Sequence, residues 1–108
     1  MPTPGPSYGV YCLDKPDATA LRAATRDAHL EWLKAGGRVT LAGPLQSPEG
    51  EEAGNVGTLL VVNGDELGEV QAWAAEDPYN QAGLFASVLV APLTQYALSA
   101  VGGMLTEL

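Results

Sequence analysis

At 108 residues and 46% hydrophobic content, the chain has the apolar mass for one packed core and too little length for two domains. Its formal net charge is −8, and all five basic residues (Lys15, Arg22, Arg26, Lys34, Arg38) precede position 39, interleaved with Asp14, Asp17, Asp27 and Glu31. A nucleic-acid backbone or an anionic membrane surface is therefore excluded as a natural partner, because both are bound through clustered cations.

The leader, residues 1–7, is rich in proline and lacks the basic start and apolar run of a signal peptide, and no later stretch is long enough to span a bilayer, so cytoplasmic residence is expected. Tyr8 to Leu13 is short, apolar and aromatic and reads as strand β1. It carries Cys12, the single cysteine, which rules out an intrachain disulfide or a cysteine-rich metal site and is expected to be buried and inert. Asp17 to about Ala35 reads as helix α1, with Asp17 as cap, Leu21, Ala28 and Trp32 on the buried stripe, and Gly36-Gly37 as the stop. Arg38 to Gly43 reads as β2 ended by Pro44, followed by a mobile polar loop from Leu45 to Val56.

Gly57 to Asn63 reads as β3, and the spacing of Leu67, Val70 and Ala74 predicts helix α2 until Pro78 blocks it. Leu84 to Ala91, between Gly83 and Pro92, reads as β4. The order β-α-β-β-α-β predicts an α+β fold of ferredoxin-like build, a four-stranded antiparallel sheet with both helices on one face, over residues 8–93. Residues 94–108 form a C-terminal extension of partly helical spacing interrupted by Gly102-Gly103. Both β3 and β4 are apolar at nearly every position, although two helices cover one sheet face only. The other face is expected to meet a second copy in a homodimer, or else the extension folded back over it.

His29 is the only histidine and lies on α1 at the flank of its buried stripe, the best general acid or base the chain offers. The plainer alternative is a half-buried imidazole bonded to a backbone carbonyl. Asp77 precedes Pro78, which biases it toward extended geometry and re-aims its carboxylate, although Asp-Pro is also a common start to a turn. In this fold α1 and α2 pack side by side, so His29 and Asp77 can meet as an acid–base dyad without an evident nucleophile. Tyr11, Gly43, Pro44 and Tyr79 are candidate pocket-lining residues, with core packing, a turn and a capping aromatic as the alternatives. Trp32 and Trp73 read as core. One histidine and one cysteine leave no metal-ligand spacing, and neither a Gly-x-Gly-x-x-Gly nor a Walker sequence occurs, so no cofactor is expected.

Ala28-His29-Leu30-Glu31-Trp32-Leu33 with Ala35-Gly36-Gly37, followed by Leu41-Ala42-Gly43-Pro44, resembles the first half of the YCII-related family. The second half is similar too, through Ala72-Trp73-Ala74-Ala75-Glu76-Asp77-Pro78-Tyr79 and Ala82-Gly83-Leu84-Phe85, so that the likeness runs from about Tyr8 to Leu93. The resemblance implies a dimeric α/β-barrel with an active site around His29 and Asp77. It also implies an activity: some members of the family dehydrochlorinate small chlorinated hydroxyquinones, and most have no assigned reaction. The extension after Leu93 and the acidic loop at Glu49 to Glu52 depart from the family pattern. Two functions from different classes follow. One is a cofactor-free lyase or isomerase acting on a small cyclic or carbonyl-bearing molecule. The other is a small-molecule-binding module that uses the same cleft without chemistry.

Overall fold

A computed structural model describes residues 6–95. Its elements are β1 (Ser7–Asp14), α1 (Thr19–Gly36), β2 (Val39–Gln46), a 3₁₀ turn (Glu51–Ala53), β3 (Asn55–Asn63), α2 (Leu67–Ala75), α3 (Pro78–Gln81) and β4 (Phe85–Leu93). The strands form one antiparallel sheet in the order β2-β3-β1-β4, the split arrangement expected from the element order. Of the leader, only Pro6 and Ser7 are described, and Ser7 already opens β1; the extension beyond Gln95 lies outside the described residues.

Strand alternation divides the sheet into two unlike faces. Val10 pairs with Leu60 and Val90, and Cys12 with Thr58 and Val88. These rows face the helices, where Val10, Leu60 and Val62 join Val70 and Trp73 of α2, Leu33 of α1 and Leu84 in the core. The intervening rows, including Tyr11 with Leu59 and Leu89, face away from the helices. There Tyr11, Leu41 and Leu89 are 44%, 51% and 61% exposed.

Several readings differ from expectation, each for a local reason. Asp17 does not cap α1: it takes a left-handed φ of 55° in the preceding turn, and Ala18 occupies the cap position without a side-chain bond. The buried stripe of α1 runs through Arg22, His29 and Leu33 instead of Leu21 and Ala28, while Trp32 packs half-buried against Trp73. A charged residue can lead a buried stripe because its partner, Asp14, is buried with it. β2 passes through Pro44 to Gln46, and β4 through Pro92, because both are edge strands, where backbone groups on one side have no ladder partner. α2 ends at Ala75, and Pro78 begins a new helical turn, α3, as its first residue. The stop of α1 is as expected: Gly37 takes the left-handed cap at φ 68°, and Gly36 lets the Trp73 indole approach so closely that an added Cβ would sit 3.1 Å from Nε1.

Among the described residues no helix is long and apolar enough to cross a membrane. Cys12 is buried, and its thiol pKa is pushed up to about 12, first by burial and then by the charges of Asp77 and Asp14, with Arg22 opposing. An unshifted thiol ionises near 9.0, so between these values unfolding releases a proton that the folded chain retains, and stability falls as pH rises through that window. The urea midpoint of the wild type is therefore expected to drop over this window more steeply than that of Cys12→Ala. Equal slopes would show that another group controls alkaline stability.

Candidate functional site

A cavity of about 160 Å³ opens between α1 and the β2–β3 half of the sheet. Helical spacing brings Arg22, Arg26, His29, Leu30 and Leu33 onto one wall. Ala42, Gly43 and Pro44 of β2 form the facing wall, and Asn55, Thr58 and Tyr79 complete the lining.

His29, which lines this cavity, meets Asp77, 48 positions away in sequence, with His29 Nδ1 2.7 Å from Asp77 Oδ1. Both residues are buried. The proline places Asp77 at φ −52°, ψ 126°, an extended setting that turns its carboxylate back over α3. There Oδ1 also accepts the Tyr79 backbone N–H at 2.9 Å, so Asp77 is at once the cap of α3 and the partner of His29. An oxygen already accepting from one N–H is set to accept from Nδ1 as well, and in that tautomer the acceptor lone pair of the ring is on Nε2. The only hydrogen bond of His29 among the described residues is this one, so Nε2 is free for a ligand in the cavity that the ring lines. Tyr79 stacks on the imidazole at 4.0 Å and 19°, fixing the plane of the ring, and itself packs edge-on against Phe85 at 5.9 Å.

Behind this pair lies a second polar cluster. Arg22 binds Asp14 in a fork, Nε to Oδ2 at 2.7 Å and Nη2 to Oδ1 at 2.9 Å, and Nη2 also donates to Thr58 Oγ1 at 2.9 Å. Its guanidinium lies 4.7 Å from the Tyr79 ring centroid. Burial opposes the Arg22 charge, but the bond and charge of Asp14 outweigh it, holding the guanidinium protonated above its ordinary range. Burial also pushes the Tyr79 phenol up, with Arg22 and Arg26 partly offsetting the rise. Among the described residues no group of three His, Cys, Asp or Glu side chains is arranged to hold a metal ion.

Of the residues singled out in the sequence, the structure brings His29, Asp77 and Tyr79 into contact and sets Gly43 and Pro44 on the cavity wall. Tyr11 is a correction. Its neighbours Val10 and Cys12 point to the helices, so alternation sends Tyr11 to the opposite, exposed face, where it cannot line this cavity. Arg22, Arg26, Asn55 and Thr58 are lining residues that sequence reasoning missed. The signal was present: positions 22, 26, 29 and 33 recur at helical spacing on the face of the lone histidine, in a chain with only five cations.

The YCII-related domain model matches residues 7–94. The chain belongs to the YCII-related domain family. Within that family it is 36% identical over 91 residues to an uncharacterised protein of Haemophilus influenzae and 35% identical over 91 residues to the protein YciI of Escherichia coli O6:H1. Each of these alignments covers 79% of this chain and 93% of the relative. Among solved structures it is similar to a 5-chloro-2-hydroxyhydroquinone dehydrochlorinase, TftG, from Burkholderia phenoliruptrix AC1100, determined in complex with 2,5-dihydroxybenzoquinone. That similarity has a TM-score of 0.73 at 26% identity and covers 82% of this chain and 93% of the other. The α+β fold with a four-stranded antiparallel sheet is thus common to this YCII-related chain and to the dehydrochlorinase.

Proposed function

We propose that this chain is a cofactor-free acid–base enzyme of the lyase or isomerase type, acting on a small hydroxylated or carbonyl-bearing ring, with His29 as the proton-transfer group and Asp77 as its orienting partner. The observation that carries this reading is the buried 2.7 Å bond between His29 Nδ1 and Asp77 Oδ1, in a histidine that lines the cavity and whose Nε2 has no hydrogen-bond partner among the described residues. Such an arrangement fixes the ring and its tautomer and places a carboxylate beside the imidazolium that forms when a proton is taken.

In the lyase form of the reaction, a substrate proton passes to Nε2 and the electron pair it leaves becomes a new double bond. A leaving group on the ring, chloride in a dehydrochlorination, departs with its own electron pair. The imidazolium then gives its proton to solvent. In an isomerase the same proton returns to a different atom of the ring. Tyr79 holds the imidazole plane, and the apolar wall of Leu30, Leu33, Ala42 and Pro44 accepts a flat ring. The similarity to TftG supports the class of substrate.

We further infer that the chain works as a homodimer joined through its open sheet faces, closing a dimeric α/β-barrel. The support is the uncovered apolar face carrying Tyr11, Leu41 and Leu89.

The test is to incubate the purified protein with 5-chloro-2-hydroxyhydroquinone and related chlorinated and hydroxylated rings. Chloride release, product absorbance and solvent deuterium entering ring C–H positions are followed. Turnover that disappears in a His29 variant supports the enzyme. Tight retention of such rings with no chloride release and no deuterium exchange would replace it with a binding module.

A further inference from the structure

The two arginines of the cavity are not in the same electrostatic state. The charge of Arg22 is paired: its Nε and Nη2 bind the Asp14 carboxylate, and Nη2 also donates to Thr58. Arg26 lines the same cavity, is exposed, and forms no hydrogen bond or ion pair with another described residue. Its helical neighbours at three and four positions are Arg22, Ala23, His29 and Leu30, none of them acidic. In a chain of net charge −8 this is a cation left unmatched at a concave surface. Thr58 adds a second donor, because its oxygen accepts from Arg22 while its own proton has no acceptor among the described residues. Leu30, Leu33 and Ala42 give the cavity an apolar part, while Pro44 is the cross-strand neighbour of Thr58. His29 stands one turn along α1 from Arg26 and one turn from Leu33.

We propose that Arg26 is the specificity residue of this cavity and selects flat rings bearing an oxyanion, a phenolate, enolate or carboxylate, which it holds with Thr58 while the ring lies against the apolar wall beside His29. The proposal rests on reading the cavity as the substrate site. It adds that the substrate enters already negatively charged, so that a ring oxygen is anchored before His29 moves a proton. A guanidinium suits this because it offers several N–H donors to one or two oxygens and stays charged throughout.

The experiment uses binding alone, so it does not depend on turnover. Binding of 4-nitrophenolate, of 4-nitrobenzoate and of the uncharged 4-nitroanisole is measured by absorbance and by perturbation of the His29 ring resonances, at a pH where the phenol is ionised. A charge-assisted hydrogen bond predicts that at least one of the anions binds the wild type about tenfold or more tighter than the anisole. That gap is expected to close in Arg26→Gln, to survive largely in Arg26→Lys, and to be unchanged in Lys34→Gln, an exposed position of the same helix outside the cavity. Which anion binds tighter distinguishes an enolic from a carboxylic substrate. Equal binding of anions and anisole to the wild type, an undiminished gap in Arg26→Gln, or no binding of any probe would overturn the proposal. Selective binding of anions by a protein that turns nothing over leaves Arg26 its role and removes the enzyme reading. Turnover with charge-indifferent binding does the reverse.

Discussion

Replacing His29 by glutamine is expected to lower turnover by about 10²–10⁴-fold while the chain stays folded, because the variant removes the one imidazole among the described residues that line the cavity, the group proposed to take the proton. Asp77→Asn should behave differently from a simple loss of the orienting group. The same Asp77 oxygen that faces His29 Nδ1 also accepts the Tyr79 N–H. An asparagine there must keep its amide oxygen toward that N–H, so its oxygen still accepts the Nδ1 proton, and the catalytic tautomer survives while the negative charge is lost. A reduction of about 10–100-fold is expected, the size usual for removing a partner behind a working histidine. Asp77→Ala loses the charge, the tautomer and the cap of α3 together. It should cost about 0.5–2 kcal/mol for the cap alone, in addition to the imidazole N–H left without a partner. Kinetics, the ring ¹⁵N shifts of His29 and thermal denaturation separate these outcomes. An Asp77→Asn enzyme as active as wild type would show that the carboxylate is only a cap, and undiminished turnover in His29→Gln would remove the dyad from the chemistry.

The legible part of this protein was the part written in runs. Four short apolar segments between glycine and proline breaks name the strands, and the stop of α1 at Gly36-Gly37 follows from residue type alone. The contact of His29 with Asp77 could be anticipated because both residues are conspicuous, a lone histidine on a helix and an acid before a proline, and the fold brings their segments together. What could not be read is pairing. Arg22 looks like a solvent-facing cation until Asp14, Thr58 and Tyr79 surround it, and those partners come from β1, β3 and α3. The one-turn helix α3 is too short for a periodic pattern and is fixed by the Asp77 cap. Two readings differ from the structure for separate reasons, the facing of Tyr11 and the end of β2 at Pro44. The facing of Tyr11 depends on strand register, and the place of Pro44 inside a strand is allowed only because β2 lies at the sheet edge.

The open face of the sheet leads to the prediction with the largest effect on assembly. Its rows read Leu41, Val61, Gly9 and Ala91, then Gly43, Leu59, Tyr11 and Leu89, then Leu45, Gly57, Leu13 and Ser87. None of these positions is charged, in a chain that carries 13 acidic residues elsewhere to spend on solvated surface. Leu89, the most exposed of the large apolar residues there, lies on edge strand β4, and in a two-fold contact each substitution enters the interface twice. Leu89→Lys is therefore expected to raise the dimer dissociation constant by about 10³-fold or more, since several kcal/mol oppose the burial of each unpaired charge. Sedimentation equilibrium should show the wild type at twice the 11.2 kDa chain mass and the variant at the chain mass itself. Leu67→Lys, exposed on α2 across the sheet from this face, should leave the dimer unchanged. A wild type that sediments as a single chain at every concentration would refute the dimer. A dimer untouched by Leu89→Lys would move the interface to another surface and leave the barrel without its closing contact.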